Sequence, residues 1–104
     1  MKSIIASMII TTGLLIAGSA FADEALLKKS NCMGCHKMEG KLVGPGFVEI
    51  ANKYKGDSGA AAKLEAGVIK GSTGVWGTMA MPPMANLNPA DVKAMTAFIL
   101  SKAK

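Results

Sequence analysis

The sequence contains no arginine: all twelve basic residues are lysines, and they are scattered along the chain rather than clustered. Proteins that bind nucleic acids usually carry a basic stripe in which arginine and aromatic residues are combined. Aromatic residues are also few, with three Phe, one Tyr and one Trp. The composition therefore argues against nucleic-acid binding, and the net charge of +5 favours attraction to acidic protein partners instead.

Cysteine and histidine are scarce too, with two Cys and one His, and all three lie between positions 32 and 36. A structural zinc site needs a fourth ligand and usually a second Cys/His pair, which this chain lacks. A thiol–disulfide redox pair normally begins a helix within a βαβ unit, and no stretch here alternates with the period of a strand. A plain disulfide would close too short a loop to stabilise the fold much.

The N-terminus has the pattern of a secretory signal peptide. Lys2 precedes an apolar run over residues 3–17, and an A-x-A cleavage site follows at 20–22. The alternative is a transmembrane anchor, but a span needs about 20 apolar residues and this run is shorter. We predict residues 1–22 as a cleaved signal peptide and residues 23–104 as one functional domain.

Hydrophobic periodicity and capping residues predict four helices and no sheet. The helices span 23–31, 47–54, about 57–70 with Asp57 or Ser58 as N-cap, and a last helix that opens at Asn88-Pro89. Residues 71–88 are rich in glycine and proline and predict an irregular loop. The predicted fold class is all-α.

The last helix is predicted to pack on the core through Val92, Met95 and Ile99, with Phe98 beside them. Beyond the N-terminal segment, however, only four aromatic residues remain for a core. Small exported domains commonly compensate for a thin core with disulfides, a metal or a cofactor. We therefore expect a group other than side chains to fill the middle of the domain.

The segment Cys32-Met33-Gly34-Cys35-His36 is a C-x-x-C-H motif, which indicates covalent attachment of a c-type haem. Two thiols at this spacing can add to the two vinyl groups on one edge of a porphyrin. His36 then lies under the ring and can give an imidazole nitrogen to the iron. Thioether bonds suit a small protein that could not retain haem by packing alone, and we expect the haem-free chain to fold poorly.

A methionine sulfur is expected at the sixth iron position, because Met/His ligation is typical of cytochromes c. Met38 is too close to His36 in sequence to reach the opposite face, and Met95 belongs to the apolar stripe of the last helix. The loop 79–84 remains, stiffened by Pro82 and Pro83. We predict Met81 as the ligand, with Met84 as the alternative and Met79 packed near the ring.

On these segments the chain resembles the short bacterial class I cytochromes c of the c-551/c-552 type, also called c8. The resemblance spans residues 23–104 and is carried by four motifs: C-x-x-C-H at 32–36, V-G-P at 43–45, G-V-W-G at 74–77 and M-P-P at 81–83. It implies a small class I cytochrome c fold with about four helices wrapped around one covalent haem. It also implies that the first and last helices cross and pack together.

The resemblance further implies the roles of the site residues. Cys32 and Cys35 bind the haem covalently, and His36 and Met81 are its iron ligands. The Pro45 carbonyl accepts the remaining ring N–H of His36, which fixes the imidazole and raises its basicity. Trp76 donates its indole N–H to a haem propionate; a core aromatic is its alternative or additional role.

Three positions depart from the family pattern. Relatives often place an arginine near a propionate where Gly67 stands here, so that contact is missing or is made by a lysine. An amide side chain that hydrogen-bonds the distal sulfur usually occupies the position of Met84. Leu27 stands where an aromatic residue often packs on the last helix, so we expect a softer interface with Phe98.

The resemblance implies a soluble, periplasmic electron carrier rather than an enzyme, monomeric and without a permanent membrane anchor. Nitrite reductase, cytochrome oxidase and cytochrome c peroxidase are the compatible partners. We expect Lys28, Lys29, Lys37 and Lys41 to surround the exposed haem edge; the alternative is that they serve only solubility. A rival function, an enzyme or gas sensor with five-coordinate haem, requires Met81 not to bind iron.

Overall fold

The computed structural model describes residues 23–104, so the predicted signal peptide lies outside the described residues. Four α-helices follow one another along the chain: α1 Glu24–Lys29, α2 Phe47–Lys53, α3 Ala60–Lys70 and α4 Pro89–Leu100. A short 3-10 helix, Cys32–Gly34, follows α1. Within residues 23–104 the only β-type pairing is an isolated antiparallel bridge between Ser72 and Met81. The predicted all-α architecture and the irregular 71–88 loop are confirmed.

Helix α1 begins and ends on residues suited to those positions. The Asp23 carboxylate caps its N-terminus by accepting a hydrogen bond from the Leu26 N–H at 3.1 Å. Its end is earlier than predicted, because Ser30 is the C-cap and Asn31 adopts a left-handed conformation with φ of 63°. Asparagine tolerates that conformation better than most residues, and the turn leads directly into Cys32.

The start of α3 differs from the prediction: its N-cap is Gly59, not Asp57 or Ser58, and no side chain caps it. Asp57 instead organises the preceding turn, where its Oδ1 accepts the Gly59 N–H at 2.8 Å. Lys63 Nζ donates to Asp57 Oδ2 at 2.7 Å. These two bonds, chiefly the one from Lys63, lower the pKa of the Asp57 carboxyl.

The core forms where α4 packs against α1, α2 and α3. The predicted stripe of α4 is confirmed, since its three members are buried, and they join Leu27, Phe47 and Ile50 in one cluster. Leu27 is fully buried, so the aliphatic side chain fills its place between α1 and α4. Phe98 is half-buried at the edge of the cluster.

The prediction missed Thr96, which is 1% exposed within the same face of α4. Its hydroxyl donates to the Lys93 carbonyl at 3.0 Å, so the polar group is satisfied inside its own helix. A threonine at this spacing is therefore compatible with the core. Polarity alone gave no indication of its burial.

The C-terminus is tied to two earlier segments. The backbone N–H of Lys104 donates to Oδ1 of Asn52, an exposed residue of α2, at 2.8 Å. Its Nζ bonds the carboxylate of Glu39 at 3.0 and 3.2 Å. Among residues 23–104, no helix is long and apolar enough to cross a membrane.

The N-cap of α4 yields a test of helix stability. Asn88 Oδ1 accepts the Ala90 N–H at 2.8 Å, and Pro89 occupies the first turn. We predict that Asn88→Ala lowers the free energy of unfolding by about 1 kcal/mol, because the first turn loses its acceptor. Urea unfolding of the haem-containing protein measures this. Asn86→Ala, at an exposed position two residues away, is the control, and equal losses in both variants would contradict the prediction.

Candidate functional site

The 3-10 helix brings the two cysteines and His36 into one turn. The backbone N–H groups of Cys35 and His36 both donate to the Cys32 carbonyl, at 3.3 and 3.0 Å. Both cysteines are free thiols, with Cys32 half-buried and Cys35 exposed. The two sulfurs are therefore available for bonds to one ligand on the surface of this turn, and they are not joined as a disulfide.

The environment of Cys32 argues against thiol–disulfide chemistry. Burial raises the pKa of its thiol, and the backbone hydrogen bond opposes this shift only in part. Redox-active C-x-x-C pairs work through a thiolate whose pKa is lowered. Cys32 therefore lacks the lowered thiol pKa on which that rival function depends.

The imidazole of His36 is buried, with 9% exposure, and is held on two sides. Its Nδ1 lies 2.7 Å from the Pro45 carbonyl oxygen. Because a carbonyl can only accept, Nδ1 carries the proton, and in the neutral imidazole Nε2 then has the lone pair that can bind a metal. The Phe47 ring stacks on the imidazole, with ring centroids 5.4 Å apart. The predicted contact with Pro45 is present.

Gly44 lets the backbone pass directly over the His36 ring. A Cβ at this position would lie 2.6 Å from His36 Cε1 and 3.0 Å from Nδ1, closer than real side chains approach. The Gly44 N–H also donates to the Cys35 carbonyl at 2.8 Å. From sequence, Gly44 was identified only as part of the V-G-P motif, because its steric role depends on the folded loop.

The loop that carries Met81 is anchored to the end of α3. Ser72 and Met81 exchange two backbone hydrogen bonds, of 3.1 and 2.9 Å. A Cβ on Gly71, where φ is 78°, would lie 2.8 Å from the Met81 carbonyl. Glycine is therefore required at this close approach. Sequence reasoning gave Gly71 only as a helix stop and did not single out Ser72.

The other candidate methionines differ in their settings. Met95 is buried in the core at 3% exposure, as predicted, and Met79 is 64% exposed. Met84 is half-buried, and its backbone N–H donates to the Val68 carbonyl at 2.9 Å. Hydrogen bonds thus fix the backbone of both Met81 and Met84, on either side of Pro82 and Pro83. Both sulfurs are therefore available as iron ligands.

Trp76 lies at the surface rather than in the core. It is 37% exposed and does not belong to the buried core cluster of residues 23–104. The ammonium group of Lys53 stands 5.1 Å from the centroid of its ring, a cation–π distance. Sequence reasoning missed Lys53 because α2 and the 71–88 loop meet only in the fold. The predicted bond from the indole N–H to a propionate remains a prediction.

The residues present fit a covalently attached haem. Two free thiols, an imidazole with a free Nε2 and methionine sulfurs form the donor set of a cytochrome c. Large apolar side chains are exposed at Leu42, Val43, Val75, Trp76 and Met79, and exposed side chains of this kind can pack against an apolar ligand. Within residues 23–104, no cluster of three or more His, Cys, Asp or Glu could hold a metal ion.

Comparisons with known proteins agree with this donor set. The sequence profile of the cytochrome c family matches residues 18–103. The chain is 47% identical over 90 residues to cytochrome c-552 of Nitrosomonas europaea, covering 86% of this chain and 87% of that protein. It is 44% identical over 89 residues to cytochrome c-551 of Allochromatium vinosum, covering 86% and 95%. The crystal structure of the wild-type Nitrosomonas protein matches with a TM-score of 0.74 at 46% identity, over 76% of this chain and 98% of that chain.

The packing of Gly44 on His36 gives a steric test. We predict that Gly44→Ala lowers the free energy of unfolding by about 1–3 kcal/mol, because the new methyl group displaces the imidazole. Denaturant unfolding of the haem-containing protein measures the loss. Gly34→Ala is the matched control, since nothing lies within 4 Å of a Cβ at Gly34. A Gly44→Ala protein as stable as this control would show that the ring tolerates the methyl group.

Proposed function

Since this chain belongs to the cytochrome c family and is a monohaem electron carrier, we propose that it shuttles single electrons through the periplasm. The donor is a respiratory membrane component and the acceptor a terminal reductase or oxidase. One haem c is attached through Cys32 and Cys35. Like its relatives, the protein transfers electrons and is not an enzyme. Residues 1–22 direct its export and are removed, and the carrier acts as a monomer.

His36 and Met81 are the iron ligands in this proposal. The support for His36 is chiefly its hydrogen bond with Pro45, which leaves Nε2 as the free nitrogen. The support for Met81 is its backbone bridge with Ser72, together with the stiffness of Pro82 and Pro83. When bound, the haem iron supplies one-electron chemistry between its ferric and ferrous states.

The protein then acts by holding the two ligands in position, chiefly through backbone groups. Pro45 fixes the tautomer of His36 and raises the basicity of Nε2. The Ser72 bridge spares Met81 the entropy cost of ordering its backbone when the sulfur binds. With His36 and Met81 both bound to the iron, no position would be left for an exchangeable substrate, which separates a carrier from a five-coordinate enzyme or gas sensor.

Replacing each methionine separately tests the choice of ligand. We predict that Met81→Ala abolishes the long-wavelength charge-transfer band of the ferric protein, which reports the Met–iron bond. Its reduction potential should fall by more than ~59 mV, a tenfold change in the one-electron equilibrium, because thioether ligation favours reduced iron. Met84→Ala, the matched control in the same loop, should keep the band. Loss of the band in Met84→Ala alone would make Met84 the ligand, and absence of the band in the wild type would favour the five-coordinate rival.

Lysines beside the attachment site are proposed to steer the carrier to acidic partners. Lys28 and Lys29 end α1, Lys37 follows His36 directly, and Lys41 lies in the next loop; all four are exposed. Positive charge around a docking surface accelerates encounter with an acidic partner. Nitrite reductase, cytochrome oxidase and cytochrome c peroxidase are the proposed candidates.

Ionic strength tests this steering. We predict that oxidation of the ferrous protein by anionic ferricyanide slows as salt increases, because salt screens the lysines. Lys37→Gln should slow the low-salt reaction roughly twofold. Lys93→Gln removes the same charge from an exposed position on α4 and should have a smaller effect. Equal effects of the two variants would mean that net charge, not the position of the lysines, controls the rate.

A further inference from the structure

The loop between His36 and α2 carries the carbonyl that bonds the imidazole, and it is fastened at both ends. At its start, the Lys37 and Met38 carbonyls accept the Phe47 and Val48 N–H groups, each at 3.0 Å. These N–H groups belong to the first turn of α2 and have no partner within the helix. The first turn of α2 therefore serves as the support on which the loop rests.

Glu49, also in the first turn of α2, reaches back into the middle of this loop. Its two carboxylate oxygens lie 3.1 and 3.2 Å from the backbone N of Gly40. Glu49 is half-buried, so this charge-assisted bond is partly shielded from water. No side chain of the loop itself makes this contact, which comes entirely from the helix.

The contact lies directly beside Pro45. A Cβ on Gly46, the residue after Pro45, would collide with Glu49 Oε2 and would lie 2.7 Å from both the N and the O of Gly40. The packing among Gly40, Gly46 and Glu49 is thus too tight to admit a side chain at Gly46. Pro45 directly precedes Gly46, so the carboxylate packs against backbone that adjoins the carbonyl bonded to His36.

We propose that Glu49 is a positioning residue for His36, acting through Pro45, and that it lowers the reduction potential; this rests on the proposed ligation of iron by His36. By holding the loop in place, Glu49 maintains the 2.7 Å contact between Pro45 and Nδ1. A firm acceptor there makes the imidazole a stronger donor, which favours the ferric state. The negative charge behind the loop acts in the same direction.

A purely structural role for Glu49 makes a different prediction. An acidic residue in the first turn of a helix also stabilises the helix dipole. Loss of that effect alone would reduce stability and leave the potential and the imidazole hydrogen bond unchanged. The midpoint potential and the exchange rate of the His36 Nδ1 proton therefore separate positioning from simple stabilisation.

The experiment compares four variants of the haem-containing protein by redox titration and by proton NMR. Glu49→Ala is expected to shift the ferric/ferrous equilibrium roughly threefold toward the reduced form, about 28 mV at ~59 mV per tenfold. It should also accelerate exchange of the His36 Nδ1 proton. Glu49→Gln keeps an acceptor for the Gly40 N–H, so its potential should lie between those of Glu49→Ala and the wild type.

Gly46→Ala and Glu39→Gln separate geometry from charge. Gly46→Ala keeps the carboxylate but displaces it, so we expect the same direction of change as in Glu49→Ala. Should Glu49→Ala fail to accumulate, Gly46→Ala carries the test. Glu39→Gln removes an equal charge from the same loop at an exposed side chain paired with Lys104, and its potential should stay close to that of the wild type.

Two results would overturn the proposal. One is a wild-type potential and exchange rate in both Glu49→Ala and Gly46→Ala; the other is an equal shift in Glu39→Gln, which would assign the effect to charge alone. Failure of the ligation proposal is seen separately, because the ring protons of His36 in the oxidised wild type would then lack hyperfine shifts.

Discussion

The hydrogen bond between His36 Nδ1 and the Pro45 carbonyl is the contact on which the site depends. It determines which nitrogen of the imidazole is free, and the neighbouring residues hold the ring and the carbonyl in place. Gly44 leaves room for the ring, Phe47 stacks on it, and the first turn of α2 holds the loop that supplies the carbonyl. A small domain with few aromatic residues thereby immobilises one imidazole with mostly backbone groups.

Local sequence signals predicted the helices well. The Asn88 cap bonds a residue two positions away, and the stripe of α4 is a matter of spacing, so both could be predicted from local sequence. Comparison with the Nitrosomonas structure confirms the class I fold. The predicted N-cap of α3 was wrong because the Asp57 side chain could bond either the first turn of the helix or the turn before it. In the structure it bonds the preceding turn.

The two sides of the site differ in how far sequence could predict them. On the histidine side, the C-x-x-C-H motif places the donors within five residues, so their chemistry was evident. On the methionine side, the bridge between Ser72 and Met81 joins residues nine apart, and Met84 is fixed by Val68. Contacts of this kind, like that of Lys53 with Trp76, depend on how loops return in three dimensions, and no local pattern encodes them.

The two hydrogen bonds that fix the Met81 backbone have a consequence for the rate of electron transfer. The Met81 backbone is already held by two hydrogen bonds with Ser72. It therefore has little freedom to rearrange when the charge at the metal changes. The same holds for an imidazole clamped between Pro45 and Phe47. With the proposed ligation by His36 and Met81, such a centre would have a small reorganisation energy, and electron transfer would need little driving force.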